Sequence, residues 1–403
     1  MCIRDSYGEV GNDQIGGDRF LYLPSSYGAA SDSGVNKYNF GLASNPYTSL
    51  MIVENKIGNP DLTWEKAKKM NVGVDINLFN NCLTASFDIF KEKRNNILAN
   101  RSTSPMIIGA NLPAYNFGEM ENRGWEMDLN FRHHIQDFHY WARFNYSFAR
   151  NEIIYMDEVQ KRYDYQMTTG RRKNQFFGLI FDGYYNSWEE INALDRPKSS
   201  WSGNQLQPGD VKYVDVNQDG VIDDYDMVPI GYTPVPEIIY GFSFGAQYKG
   251  FDFSILFQGA DNVSIKYFGR SMWPFAKGEE SAKSLIKERW TQERYEAGEK
   301  ITFPRLSLNP NGETDHNYRP STLWIRDASY LRLKNLEVGY TFTGGFVKRL
   351  NLNSVRLYFN GSNLFTWTDV VDLDPEAPSR SGNVEINTYP LQKVYNIGLN
   401  INF

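Results

Sequence analysis

The sequence predicts an all-β chain, an antiparallel transmembrane β-barrel wall of about ten strands that forms part of a larger barrel. Three observations predict it. The segment Val394 to Phe403 alternates strictly, with Tyr395, Ile397, Leu399, Ile401 and Phe403 on one face and Asn396, Gly398, Asn400 and Asn402 on the other. The same alternation recurs upstream, at lengths that suit strands crossing a bilayer of about 30 Å. The connections between these segments are short and long in turn, which is the asymmetry of an outer-membrane barrel with tight periplasmic turns and large outer loops.

The elements follow in chain order. Met1 to Ser6 lacks the apolar stretch of an export signal, and from Tyr7 the text reads like the middle of a domain. The chain is therefore expected to be the C-terminal part of a longer exported protein, residues 1–403 being one piece of barrel without plug or signal peptide. The first alternating segment carries Met70, Val72, Val74, Ile76 and Leu78, and the next carries Leu83, Ala85, Phe87 and Ile89. Trp125, Met127, Leu129 and Phe131 follow, then Phe138, Tyr140, Ala142, Phe144, Tyr146 and Phe148. Tyr240, Phe242, Phe244 and Tyr248 precede Phe251, Phe253, Ile255 and Phe257. Leu336, Val338, Tyr340 and Phe342, then Val355, Leu357 and Phe359, lead to the final segment.

Such faces need one apolar and one wet side. Met70, Val74, Phe87, Leu129, Phe144, Phe242, Phe253 and Leu399 are expected to face lipid, and Asp75, Asp88, Asp128, Arg143 and Asp252 the lumen. Leu331 and Leu333 are out of phase with Leu336 and Val338, so a bulge is expected near Asn335, turning Arg332, Lys334 and Glu337 to the lumen or rim. The short connections are Asn80 to Cys82, His133 to Asp137, Lys249-Gly250 and Thr343 to Leu352. The long ones are Lys93 to Arg123, the outer loop 150–236, Ala260 to Tyr330 and Thr366 to Lys393.

Composition agrees. No run of about 18 apolar residues exists, and a mean hydropathy of −0.53 is compatible with a barrel, where only alternate residues meet lipid. Aromatics reach 15%, which suits interfacial girdles and aromatic-lined ligand surfaces. The net charge of −6 argues against a nucleic-acid partner. Cys2 and Cys82 form no disulfide framework. The four histidines, His133, His134, His139 and His316, show no metal or catalytic spacing, and no enzyme signature is present.

One motif carries chemistry of its own. Residues 215–226 read Asp-Val-Asn-Gln-Asp-Gly-Val-Ile-Asp-Asp-Tyr-Asp, an EF-hand-type loop. Asp215, Asn217 and Asp219 stand at positions 1, 3 and 5, Gly220 at the sharp turn, the Val221 carbonyl at 7 and Asp226 at 12, where Glu is usual. Calcium is the expected cation, with an Asx-rich turn without metal as the other reading. Aromatics gather in the long loops. Tyr184, Tyr185, Trp188, Trp201, Trp273 and Trp324 are candidates to line a ligand vestibule, against the reading that they only pack the loops together.

Several segments together resemble the C-terminal half of SusC/RagA-type TonB-linked outer-membrane proteins: Asn59-Pro60-Asp61-Leu62-Thr63-Trp64-Glu65, Gly118 to Glu126, Gly209-Asp210-Val211-Lys212-Tyr213, Asp327 to Asn335, and Phe359 to Phe365. The resemblance runs from about Tyr7 onward. It implies a plugged barrel of roughly 22 strands in the outer membrane of a Gram-negative, Bacteroidetes-like cell. It further implies energisation by the TonB complex through an N-terminal part not in this chain, a SusD-type surface lipoprotein, and import of oligosaccharides or peptides. Tyr395 and Phe403 resemble the C-terminal sorting signal of outer-membrane barrels. A siderophore or vitamin receptor of the same architecture, and a secreted calcium-binding adhesin or carbohydrate-binding β-protein, are the alternatives.

Overall fold

The computed structural model describes residues 1–13, 21–23, 28–29, 37–42, 47–50, 52–53, 57–103, 112–201, 206–267, 273–275, 284–307, 315–376 and 391–403. Its frame is one ten-stranded sheet: β1 Cys2–Asn12, β2 Glu65–Leu78, β3 Leu83–Ala99, β4 Tyr115–Ile135, β5 Phe138–Tyr155, β6 Ile238–Tyr248, β7 Phe251–Asp261, β8 Tyr330–Phe342, β9 Ser354–Thr368 and β10 Val394–Asn402. Each strand pairs antiparallel with its neighbour in this order, a pure meander.

Register sorts the side chains as the alternation requires, because cross-strand partners share a face. Val74 stands opposite Phe87, Phe87 opposite Met127, Leu129 opposite Phe144 and Phe144 opposite Phe242. This apolar face continues through Ala246 with Phe253, Phe253 with Val338, Val338 with Phe359 and Leu357 with Leu399. The other face pairs Asp75 with Ser86, Ser86 with Asp128, Asn130 with Arg143 and Gln247 with Asp252. Tyr395 and Phe403 lie exposed on the apolar side, Tyr395 stacked beside Phe359.

The strands outrun the lipid. The 21 residues of β4 extend roughly 70 Å at about 3.3 Å per residue, against an apolar band of about 25 Å. Trp125, stacked on Tyr146 at 4.7 Å, marks the upper edge of the apolar side. Above it the same face changes to cross-strand ion pairs, Lys91 with Glu121 at 2.9 Å and Lys93 with Glu119 at 3.1 Å. The connection expected from Lys93 to Arg123 is thus shorter, because β3 and β4 continue paired to Ala99 and Tyr115. Likewise the loop expected at 150–236 starts only after Tyr155. A further strand, β1, lies at Cys2–Asn12, where the sequence reading placed none.

At the other end of the wall the turns are tight. Lys249 and Gly250 carry φ values of 45° and 90°, the two left-handed residues of a type I′ hairpin. Residues 79–81 link β2 to β3 with φ values of 53°, 53° and 68°, tolerated because two of the three are Asn. The bulge expected near Asn335 is present. Leu256 and Phe257 are consecutive opposite Asn335 and Leu333, which leaves Lys334 as the extra residue. Arg332, Lys334 and Glu337 then all reach acidic or basic partners on the polar side.

Candidate functional site

Among the described residues, the polar face of the wall and the loops above it form an environment suited to a hydrophilic ligand, and the strand register sets the polar face. On the wall, charges come in clusters. Arg4 on β1 lies 2.7 Å from Asp75 and 2.9 Å from Asp88, with Ser86 bridging to Asp75 at 2.7 Å. Arg356 on β9 binds Asp252 on β7 and reaches Glu337 on β8 at 2.6 Å. Arg143, Arg132, Asp128, Asn130, Thr84 and Asn81 surround a hollow of about 510 Å³ nearer the tight turns. A second cavity of about 380 Å³, towards the outer end, lies between Glu92, Arg94, Asn122 and Asn151 of the wall and Arg172, Lys173 and Glu237 of the loop. There Glu237 is buried and clamped by Arg150 and Arg172.

Above the wall, described residues from the connections after β5, β7 and β9 share one hydrophobic core. Leu179, Val211, Tyr213, Val263, Tyr267, Phe303, Tyr318, Trp324 and Val370 belong to it. Short ribbons tie it down: Phe181–Tyr184 against Val211–Tyr213, and Ser264–Lys266 against Ile325–Asp327. The sequence Gly209-Asp210-Val211 is a junction. Asp210 is buried, ion-paired to Arg305 at 2.6 Å, and accepts from Asn317 Nδ2 at 2.7 Å, while Asn317 Oδ1 accepts from the Val211 amide. His316 next to it is also buried. Its Nε2 donates to the Val211 carbonyl at 2.8 Å and its Nδ1 accepts from the Ser199 hydroxyl at 2.9 Å, an arrangement that suits the neutral ring. Burial pushes its pKa below the ordinary histidine value. No sequence signal marked Asp210, His316 or Asn317 as a unit, because their contacts span about a hundred residues.

The aromatic candidates divide. Tyr184, Trp273 and Trp324 sit in the loop core, Trp324 at 2% exposure with Nε1 donating to the Asn317 carbonyl at 2.8 Å. These three rings are buried among loop residues, the arrangement that packing of the loops requires, rather than open to solvent. Tyr185 is buried in a satellite cluster with Ile191 and Leu206. Trp201 is half-buried against the core with the Arg319 guanidinium 4.1 Å above its ring. Trp188, at 55% exposure, presents an open ring to solvent at the start of the helix Trp188–Asn192.

The loop at 215–226 has the internal bonding of a cation loop over its first seven positions. Asp215 Oδ2 accepts from the Gly220 amide, Asn217 Oδ1 from Asp219 and Asp219 Oδ1 from Val221, at 2.8, 2.9 and 2.9 Å. Gly220 has φ of 81°, which glycine adopts without strain. Asp215 Oδ1 is buried with no hydrogen-bond partner, an orphaned anionic oxygen that suits a cation. The Gly220 and Ile222 carbonyls accept from Lys198 and Ser200, which directs the Val221 carbonyl to the opposite side. The closing residue departs from expectation. Asp226 is fully buried and turned onto the amides of Val216 and Asp223, both at 2.8 Å, rather than towards the other oxygens. Burial raises its pKa above the usual carboxylate value, with the charge of Asp215 adding to the effect. Among the described residues no three His, Cys, Asp or Glu side chains converge to hold a metal. The fit therefore rests on Asp215, Asn217, Asp219 and the Val221 carbonyl.

A meander of long strands, apolar on one face and charged on the other, with tight turns at one end and folded loops at the other, defines an outer-membrane β-barrel wall. Residues 21–364 match the family described as TonB dependent receptor-like, beta-barrel, and the chain belongs to that family. It is 27% identical over 99% of its length to a TonB-dependent receptor of Formosa agariphila, covering 39% of that protein. It is 26% identical over its whole length to the TonB-dependent receptor SusC of Bacteroides thetaiotaomicron, covering 37% of it. Its fold matches the structure of the RagAB peptide transporter with a TM-score of 0.70 at 24% identity, over all of this chain and 40% of that one. The chain spans about 40% of the length of the curated relatives it matches.

Proposed function

We propose that the protein to which this wall belongs is a TonB-dependent importer that carries oligosaccharides or peptides across the outer membrane together with a SusD-type surface lipoprotein. The observation that carries this reading is the polar face, where Arg4, Arg356 and Arg143 stand among Asp75, Asp88, Asp252, Glu337, Asp128 and several Asn and Ser side chains. Such a surface offers donors and acceptors of both signs, as a hydrophilic cargo rich in hydroxyl or amide groups requires. Exclusion of water is not needed for passage, so the wall can remain wet while the outer face stays apolar. SusC and the RagAB peptide transporter, which this chain resembles, support the same class of function.

The loop at 215–226 is proposed to bind calcium as a structural staple in the outer loop. Support comes from the orphaned Asp215 oxygen and the Asx-turn bonding of positions 1 to 7. Calcium would add a hard, multidentate tie among oxygens that already share one turn.

The test of cargo is uptake of fluorescent oligosaccharide and peptide pools by cells with the full-length gene intact, deleted, or intact in a TonB-deficient background. Loss of one pool in both deficient strains is expected. Undiminished uptake of both pools in the gene deletion would overturn the reading.

A further inference from the structure

The tight-turn end of the wall holds a groove that neither the cargo path nor the loop core uses. It has a volume of about 790 Å³ and is lined by Lys249 and Gly250 of one turn, Tyr340, Thr341 and Phe342 of β8, Val355 of β9, and residues 343–347 and 350 between them. Tyr340, Phe342 and Val355 belong to the apolar register, opposite Phe251, Val355 and Ile401 respectively, so the groove opens on the lipid side. The intervening segment forms the short helix Gly345–Arg349, which anchors itself with buried Val347 and leaves Phe346 and Leu350 exposed beside the groove.

One cation lines this apolar slot and two more stand on the helix that borders it. Lys249 lines it, and Lys348 and Arg349 follow Val347 on the helix. None of the three is ion-paired to a described residue, and the lining contains no acidic side chain. Lys249 lies over the Tyr248 ring at 5.3 Å, and cations that no carboxylate among the described residues neutralises, beside an apolar groove at a membrane boundary, match one kind of molecule in both parts: acyl chains for the groove, and a phosphate for the cations. The tight-turn end is the periplasmic end, so the facing leaflet is the one made of phospholipid.

We propose that this groove is a binding site for one anionic glycerophospholipid, its acyl chain against Phe342, Phe346 and Leu350 and its phosphate held by Lys249, Lys348 and Arg349. The site is independent of the cargo reading, because it needs only the membrane-spanning wall. A bound lipid would fill the space between the turn of Lys249-Gly250 and the helix and so hold the periplasmic rim of β6 to β9 in one arrangement.

The full-length receptor, purified in mild detergent, can be titrated with dioleoylphosphatidylglycerol and with dioleoylphosphatidylcholine and examined by native mass spectrometry. One retained phosphatidylglycerol per receptor, at several-fold higher occupancy than phosphatidylcholine, is expected. Each of K249Q, K348Q and R349Q should lower phosphatidylglycerol occupancy about fivefold, and Phe346→Ser should lower retention of both lipids. Heat-modifiable migration on gels shows whether each variant has a folded barrel. A photoreactive phosphatidylglycerol added to the unaltered receptor provides a reading that needs no variant, and label in peptides spanning 249–250 or 340–355 is expected. Equal retention of the two lipids, unchanged occupancy in the folded variants, or label found only elsewhere would each overturn the proposal. So would a stable protein adduct that occupies the groove in place of lipid.

Discussion

Arg356 and Asp252 meet across an intervening strand, directly above Gly339, with Arg356 Nε 3.0 Å from Asp252 Oδ2. A Cβ on Gly339 would lie 2.6 Å from that carboxylate and 2.7 Å from the guanidinium. The same device recurs at β2, where a Cβ on Gly73 would lie 2.3 Å from Asp88 and 3.0 Å from Arg4. In both places the missing side chain is what allows a cation and an anion two strands apart to touch.

Gly339→Val should therefore break the Arg356–Asp252 pair without altering the strand pattern. The expected cost is about 1–3 kcal/mol from overpacking, read as a lower urea midpoint for the full-length barrel in lipid vesicles. An unchanged midpoint would show that Arg356 can swing aside freely.

Arg332 is buried on β8 and holds both Asp374, at 2.8 Å, and Glu376, which also accepts from the Tyr330 hydroxyl at 2.6 Å. Arg332→Ala leaves Asp374 without its cation and Glu376 with only the more distant Lys334, 3.6 Å away. A loss of about 3–5 kcal/mol is expected locally, appearing as protease cleavage within 369–376 while the barrel stays heat-modifiable. Intact resistance of that segment would show that other contacts hold it.

Acid should loosen the loop core. His316 is buried as the neutral ring, so its folded pKa lies below that of the unfolded chain. Between those two values the unfolded state binds more protons, so stability rises with pH in that interval. The contribution is full above about 6.5 and falls as pH drops towards the folded value. Hydrogen exchange at 199–213 and 316–324 should quicken between pH 7.5 and 5, and His316→Gln should flatten that dependence. Equal pH dependence in the variant would assign the effect to other groups.

Calcium affinity should depend on Asp215 and Asp219 more than on Asp226. Calorimetry of the full-length receptor at millimolar calcium is expected to show uptake that Asp219→Ala abolishes, with strand content unchanged by circular dichroism. Asp226→Asn should mainly loosen the turn, since that carboxylate is bound to amides of its own loop. Absence of uptake by the unaltered receptor would retire the site.

The wall was legible because lipid imposes a period of two on every strand that crosses it, and the segments around Val74, Phe87, Phe144, Phe253 and Leu399 obey it. Legibility stops where lipid stops. On β3 and β4 the outward positions become Lys91, Lys93, Glu119 and Glu121, and a reading based on apolar alternation ends the strands there too early. β1 escaped for the same reason, since Asp5 and Glu9 stand opposite Val72 and Lys68 on the outward side. The fate of Tyr184, Trp273 and Trp324 was not legible at all. Whether a loop tryptophan faces solvent or a core depends on segments far away, as the Trp324–Phe303 and Trp273–Tyr318 ring contacts illustrate.

The core shared by the last three outer connections has a consequence for how such a receptor can diversify. Leu179 and Val211 from the first, Tyr267 and Trp324 from the second and Val370 from the third occupy a single interior. Transplanting one connection from a relative would leave a mismatched interface with the other two. New loop chemistry should thus be inherited in whole blocks, with the three connections exchanged together, while isolated changes are confined to surface positions such as Trp188.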